Sequence, residues 1–566
     1  MKTVSIEKRA SLPVTSSGSV KPTDTSTQKH FKDWPNETAF NAPDDLRKKI
    51  EVPITGKIPN YVAGALYRTG PGAYKVPTDK SKNGEFAVSH WFDGFTTVHR
   101  FDLEAGTDGI SKASYNSYSQ VDEAIEYARK NGKLEGITFG QKRDPCDTFY
   151  NKFKTSFKPS SRDGPNNSNI GVAIRASLPT ENAKIKNLQG RATLTLTTDH
   201  NGTKQFDAET LEPLGVVRQT VLHPDLKGPL SAAHPARDPE TGDIYNYNLD
   251  LGPVATYRVF RADAKTGKVD ILATVASPSL PGAYLHSMFI TTNFLILCVW
   301  PAFFSLSGIS VLWNRNLVDA IAPFDSKART NWLVVDRRHG RGVVKKFTSP
   351  AFFAFHTINA WEVPSPNEEG SVDIHCELAE FSSTEILHKF YYENFLSTGK
   401  SVAEYSDAKA MSRVAAGLAR YKLPAVSLSG KAGKVGTAEE VLRIPNAGDL
   451  PRINPGFVMR EHRYVYAVLW RGKSSFIDGL GKTDTRTKEC RVWEREHHTP
   501  GEPIFVPRPG GTEEDDGAVL TVVHDGDKGT SYLLCLDART MEEMGRVDVG
   551  RRVGVGFHGL HLPAAA

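Results

Sequence analysis

The chain has few of the residues that build disulfide or cysteine-metal scaffolds. Five cysteines are spread over 566 residues, with no CxxC pair. That argues against a disulfide framework or a cysteine zinc site, and it favours a reducing, cytoplasmic setting. No long run of one charge sign occurs, and the formal net charge is only +5. Nothing in that balance calls for a nucleic-acid partner. An unbroken apolar run of about 20 residues, the length a spanning helix needs, is also missing. The nearest approach, residues 294–324, is interrupted by Pro301 and then by Asn314, Arg315, Asn316 and Asp319. It reads as a strand followed by an amphipathic segment, 301–317, that touches a lipid surface peripherally, or equally as buried core. Residues 1–30, rich in Ser, Thr and Lys, lack the apolar core of a secretory signal and read as a flexible tail. Residues 31–566 read as one domain with helical and loop insertions.

What is present is a long series of short β-type runs. Examples are 63–69, 96–102, 191–197, 244–248, 256–262, 269–275, 289–299, 332–336, 462–469, 503–507, 518–524 and 531–537. Clusters such as DPETGD (238–243), AKTGK (264–268) and HDGDKG (524–529) punctuate them as turns. No βαβ alternation shows. Helical patterns are few: 119–131, and more weakly within 390–418, mainly 402–418; residues 473–509 look loop-rich. An all-β body of this length without an evident linker is most economically a β-propeller, although no WD or kelch repeat marks its blades.

Four of the seventeen histidines have unusual settings. His234 lies in SAAHPARD, His286 in YLHSMF, His356 in FFAFHTINAWE and His558 in GVGFHGLHLP. Each stands near the end of a β-type run beside small or aromatic residues. Apolar surroundings keep imidazole neutral, and neutral imidazole is a good ligand for iron, zinc or copper. None lies at helical spacing from another, so a shared site must gather strand ends from distant parts of the chain. A propeller axis does that. Satisfied core histidines are the alternative reading of the same residues. No HExxH and no nucleophile elbow occur.

These histidines and their neighbours resemble the carotenoid cleavage oxygenase family over about residues 36–563. The resemblance rests on LYRTGPG (66–72), HWFDGF (90–95), AAHPARDPETGDIYN (232–246), YLHSMF (284–289), FFAFHTINAWE (352–362), DLPRIN (449–454), EPIFVPRPG (502–510), EEDDG (513–517) and FHG (557–559). ITFGQKRDPC (137–146) looks like the fungal branch that acts on torulene and related carotenoids. The resemblance implies a seven-bladed β-propeller with a helical cap. It also implies Fe(II) on the axis, held by residues matching His234, His286, His356 and His558. Carboxylates behind three of those ligands match Asp199, Asp449 and Glu502. The family pattern usually has Glu at the first two, and the shorter Asp leaves a direct bond to histidine open against contact through water. The implied reaction is cleavage of a conjugated C=C bond by O2, on torulene or an apocarotenoid, giving aldehydes. A stilbene-cleaving oxygenase, a retinoid isomerohydrolase-like enzyme and a propeller binding module are the rival readings.

Other motifs have milder interpretations. His90 and Asp93 in HWFDGF fit an aromatic turn beneath the site. GPGAYK (70–75) lacks the Gly-Lys-Ser of a phosphate loop, and EEDDG is more readily a solvated turn than a calcium loop. Phe92, Phe95, Phe303, Phe304, Phe353, Phe355 and Trp361 are candidates to line a polyene tunnel or to pack within blades. Tyr127 and Lys142 are the residue types a stilbene-cleaving relative needs, or simply surface residues.

Overall fold

Residues FLILCV (Phe294–Val299) bury every side chain. The same holds for nearly all of GAVLTVVHD (Gly517–Asp525), and such runs suit strands covered on both faces. The computed structural model supplies that cover. It describes residues 34–142, 164–185, 188, 190–430 and 433–564, so the N-terminal tail and the end of the ITFGQKRDPC tract lie outside it. Seven sheets of four to six strands, and one two-stranded hairpin, account for the β-structure of the described residues. The seven form a propeller, each sheet packing its faces against its neighbours.

Ring closure uses both ends of the described chain. Strand His558–Pro563 pairs antiparallel with Gly64–Ala73, with His558 opposite Thr69. It is thereby the innermost strand of a blade otherwise built from the N-terminal part of the chain. Ile54–Gly56 in turn joins the edge of the last blade, against Glu543–Asp548. Gly70 permits the close approach at this seam: its φ is +146°, and a Cβ there would meet the Phe557 amide nitrogen at 2.5 Å.

The expected strands correspond to strands of the propeller, with one subdivision: 289–299 is two strands, Phe289–Ile290 and Phe294–Val299. Two expectations are refined. Residues 473–509 are loop-rich, but besides the expected strand at Ile504–Pro507 they carry Gly479–Asp484, Cys490–Trp493 and His498–Pro500. Polar side chains there hid the pattern, because burial is met by pairing, as where Lys482 reaches Asp515 at 2.5 Å. Residues 402–418 are not one helix. A 3-10 turn at Val402–Tyr405 precedes a helix at Ala408–Val414, whose first turn is capped by the Asp407 side chain on the Ala410 amide. Strand Gly417–Ser427 follows. The expected helix over 119–131 is present as Asp122–Asn131, closed by Gly132 in the left-handed region.

After Phe294–Val299 the chain makes short helical turns at Ser305–Gly308 and Ile309–Asn314. Phe304 and Val311 turn into the core, whereas Leu306 is 76% exposed, Ile309 64%, Leu312 49% and Trp313 38%. The buried-core reading holds for Phe304 and Val311, and the remaining apolar side chains form an exposed face. No helix of the described residues is long and apolar enough to cross a membrane.

Candidate metal centre

The innermost elements of the blades bring the singled-out residues together. His234 lies between the short strands Leu230–Ser231 and Ala236–Arg237, and its amide donates to the His286 carbonyl. His286 precedes Phe289–Ile290; His356 lies in Phe353–Pro364; His558 begins the closing strand. Asp449 begins Asp449–Arg452, Glu502 lies between His498–Pro500 and Ile504–Pro507, and Asp199 lies in the hairpin after Thr193–Thr197. All seven blades therefore contribute one residue each. The four histidines offer nitrogens that all lie within 4.8 Å of one another.

Behind three of the imidazoles stands a carboxylate. His286 Nδ1 is 2.8 Å from one oxygen of Asp199, His356 Nδ1 is 2.6 Å from Asp449, and His558 Nδ1 is 2.7 Å from Glu502. Direct contact by both aspartates resolves the question that their short side chains raised. Backbone placement replaces the missing methylene. Asp449 starts the strand in the blade next to that of His356. The hairpin of Asp199 is tied to its neighbour by Ser231 N–H on the Asp199 carbonyl, at 3.0 Å, and by Ala233 N–H on its carboxylate, at 3.2 Å.

These contacts decide the tautomers. A neutral imidazole that donates from Nδ1 presents a lone pair at Nε2. The Nε2 atoms of His356 and His558 are 3.2 Å apart. His234 Nε2 is buried with no hydrogen-bond partner. Burial, with the other imidazoles and Arg452 adding to it, holds His234 and His558 well below the ordinary histidine range, so neither becomes a cation to bind the others. Converging lone pairs and an orphaned buried nitrogen are poorly compensated by protein alone. The donor set fits a first-row divalent metal ion.

Three of the histidines, with Asp449, open into a narrow cavity. Its remaining lining is apolar and mainly aromatic, including Trp91, Phe92, Phe355, Phe390, Phe476 and Phe557. Phe390 lies between the short helices Glu385–Lys389 and Tyr392–Phe395, and its carbonyl accepts the Trp91 amide at 2.9 Å.

A protein-family profile described as "Retinal pigment epithelial membrane protein" matches residues 39–563. A carotenoid dioxygenase of Neurospora crassa is 42% identical over 94% of this chain and 92% of its own length. A torulene dioxygenase of Fusarium fujikuroi is 40% identical over 94% and 95%. This chain belongs to the carotenoid cleavage oxygenase family. As a member it is a dioxygenase. The fold is shared with cobalt-substituted Synechocystis apocarotenoid oxygenase, with a TM-score of 0.68 at 21% identity, over 94% of this chain and 99% of that one.

Within this carotenoid oxygenase the remaining motifs serve as scaffolding. His90 Nδ1 accepts the Phe92 amide, and its Nε2 faces the Leu387 carbonyl at 2.9 Å. Asp93 accepts the amides of Phe139 and Gly140 at 2.6 and 2.7 Å. In EEDDG, Glu514 accepts the Arg463 and Tyr464 amides, and Asp516 pairs with Arg508. Of the proposed tunnel aromatics, Phe92 and Phe355 line the cavity. Trp361 instead stacks on His375. Tyr127 and Lys142 are not among the lining residues, and Lys142 pairs with Glu393. Sequence reading missed the groups that hold the carboxylates: Tyr284 on Asp199, and Arg68 and Arg452 on Glu502. All three lie inside quoted motifs, but a hydroxyl or guanidinium in a motif does not reveal its partner.

Proposed function

We propose that this oxygenase uses Fe(II) to cleave one conjugated C=C bond of a long carotenoid, torulene or an apocarotenoid, to aldehydes. His234, His286, His356 and His558 would hold the ion, with Asp199, Asp449 and Glu502 fixing three of the imidazoles. The observation that carries this reading is the convergence of four imidazole nitrogens, with three of the four histidines lining an aromatic cavity. The names of the fungal relatives support the substrate class. When bound, the ion supplies activation of O2.

The chain's own residues do the rest. Aromatic walls take up a polyene by excluding water from it. An alkene has no proton to give, and the polar groups of the lining are three histidines and one aspartate, so no separate acid or base is required. Each oxygen atom of O2 ends in one of two carbonyls, and no external reductant is consumed. The Nδ1 contacts keep the Nε2 lone pairs turned inward through the cycle.

The exposed Leu306, Ile309, Leu312 and Trp313 form an apolar face, which we assign to peripheral contact with a lipid surface. The adjoining backbone leads to the cavity. Thr138 and Phe139 bond Leu317 and Val318, and the Phe139 amide is held by Asp93, next to Phe92. Replacing Leu306, Ile309 and Trp313 by Ser should abolish flotation with liposomes at unchanged thermal stability. Unaltered flotation would refute this assignment.

The substrate reading is tested by incubating iron-loaded protein with torulene, apocarotenoids and resveratrol under O2, with products identified by mass spectrometry. Aldehydes from torulene or an apocarotenoid are expected. Turnover of resveratrol alone would replace the carotenoid reading by the stilbene one.

A further inference from the structure

Among the three carboxylates behind the histidines, Asp199 is the one held by a neutral side chain. Tyr284 is buried, and its hydroxyl donates to Asp199 Oδ2 at 2.8 Å. His286 Nδ1 faces both oxygens, Oδ1 at 2.8 Å and Oδ2 at 3.0 Å, and Oδ1 also takes the Ala233 amide at 3.2 Å. Tyr284 Oη and His286 Nδ1 are 3.2 Å apart, and both carry protons aimed at the carboxylate. Tyr284 and His286 are two residues apart, so one stretch of chain supplies both donors to Asp199.

The tyrosine is itself rigidly placed. Its amide donates to the Ala302 carbonyl at 2.9 Å, and its own carbonyl accepts the Trp300 indole N–H at 2.9 Å. Its ring stacks on Phe353 at 6.3 Å and meets Phe139 edge-on at 5.4 Å. An aspartate carboxylate turns about both Cα–Cβ and Cβ–Cγ. The Ala233 amide holds Oδ1 at 3.2 Å, and the Tyr284 hydroxyl supplies the second outside anchor, on Oδ2.

We infer that Tyr284 is a positioning residue for the metal centre: it pins the Asp199 carboxylate against His286, and thereby fixes the direction of the His286 Nε2 lone pair. This rests on the proposal that the four histidines hold a metal. It adds that a tyrosine outside the ligand set governs how tightly they do so.

The test is Co(II) titration of the metal-free full chain, read by ligand-field absorption and by competition with a chelator, beside thermal unfolding. Tyr284→Phe keeps the ring and removes only the hydroxyl. It should weaken Co(II) binding about 10-fold, the lower end of losses for groups that orient metal ligands, and leave the melting temperature unchanged. Asp199→Glu in the Tyr284→Phe background should restore most of the affinity, because a longer carboxylate can reach Nδ1 from another angle. Unchanged affinity in Tyr284→Phe would overturn the inference. So would failure of the Asp199→Glu rescue, since it would mark the effect as general packing. Wild-type protein that binds no Co(II) would sink the four-histidine reading itself, a separate outcome.

Discussion

The His558 and His356 sides of the centre reach similar contacts by different means. His558 leans on Glu502, which is buried and also takes Arg68 at 2.8 Å, Arg452 at 2.8 Å and the Gly559 amide at 2.8 Å. His356 leans on Asp449 at 2.6 Å, and among the described residues no other side chain hydrogen-bonds that carboxylate. Glu502 therefore spends its charge on two guanidiniums as well as an imidazole. Asp449 directs its charge at His356. One side is a load-sharing part of the fold; the other serves its histidine alone. A scheme in which three equivalent carboxylates offset the ion's charge is too simple.

That difference can be broken from either side. The largest effects should come from the ligands: His234→Ala, His286→Ala, His356→Ala and His558→Ala should each lose bound iron and turnover, as checked by metal analysis of purified protein. Within that set, His558→Ala should stay the more stable, because Glu502 keeps both arginines. His356→Ala leaves a buried aspartate without a partner and should melt lower. Wild-type iron content in any of the four would refute its assignment as a ligand.

Glu502→Gln comes next. It leaves Arg68 buried with no counter-charge, and breaking such a pair costs about 3–5 kcal/mol. Denaturant unfolding should show that loss, and Arg68→Met in the same chain should recover much of the stability without recovering metal affinity. Asp449→Asn should be milder to the fold. An expected loss of about 10–100-fold in metal affinity should appear with little change in unfolding midpoint. If Asp449→Asn and Glu502→Gln destabilise the chain equally, the two sides are not distinct.

The smallest effect concerns a carboxylate with amides as its partners. Burial raises Asp93 to about 6, against the pull of the Gly140, Phe139 and Gln141 amides. A folded pKa above the unfolded value means that its contribution is fully present below about pH 4. It then declines as pH rises through about 6. Asp93→Asn should flatten stability against pH between 4 and 7, in unfolding measured at several pH values. The same slope in wild type and variant would show that Asp93 does not titrate in that window.

Much of this was legible because its causes are local. Period and turn chemistry marked strands such as Thr256–Ala262 and Val269–Ala276 close to their actual limits. The segment after Pro301 was half legible. Apolar content marked it, but only packing sorts Phe304 and Val311 inward from Leu306 and Ile309 outward. The strand of Lys482 went unmarked because a lysine in a strand counts as polar until its aspartate is known.

The sequence by itself marked candidates: four histidines in apolar motifs and aromatics enough for an apolar cavity, while the three carboxylates were pointed to by the family resemblance of their motifs. Residue chemistry and short-range pattern go that far, since a side chain's donors and its immediate neighbours are written in order along the chain. Tertiary structure alone decided which of them meet. Closure of the ring sets His558 opposite Thr69 and beside His356, from opposite parts of the chain. It also brings Asp199 and Asp449 into direct reach, and gives Glu502 two arginines but Asp199 a tyrosine. Those outcomes depend on distances of a few tenths of an ångström across separate blades, and no local preference of the chain encodes them.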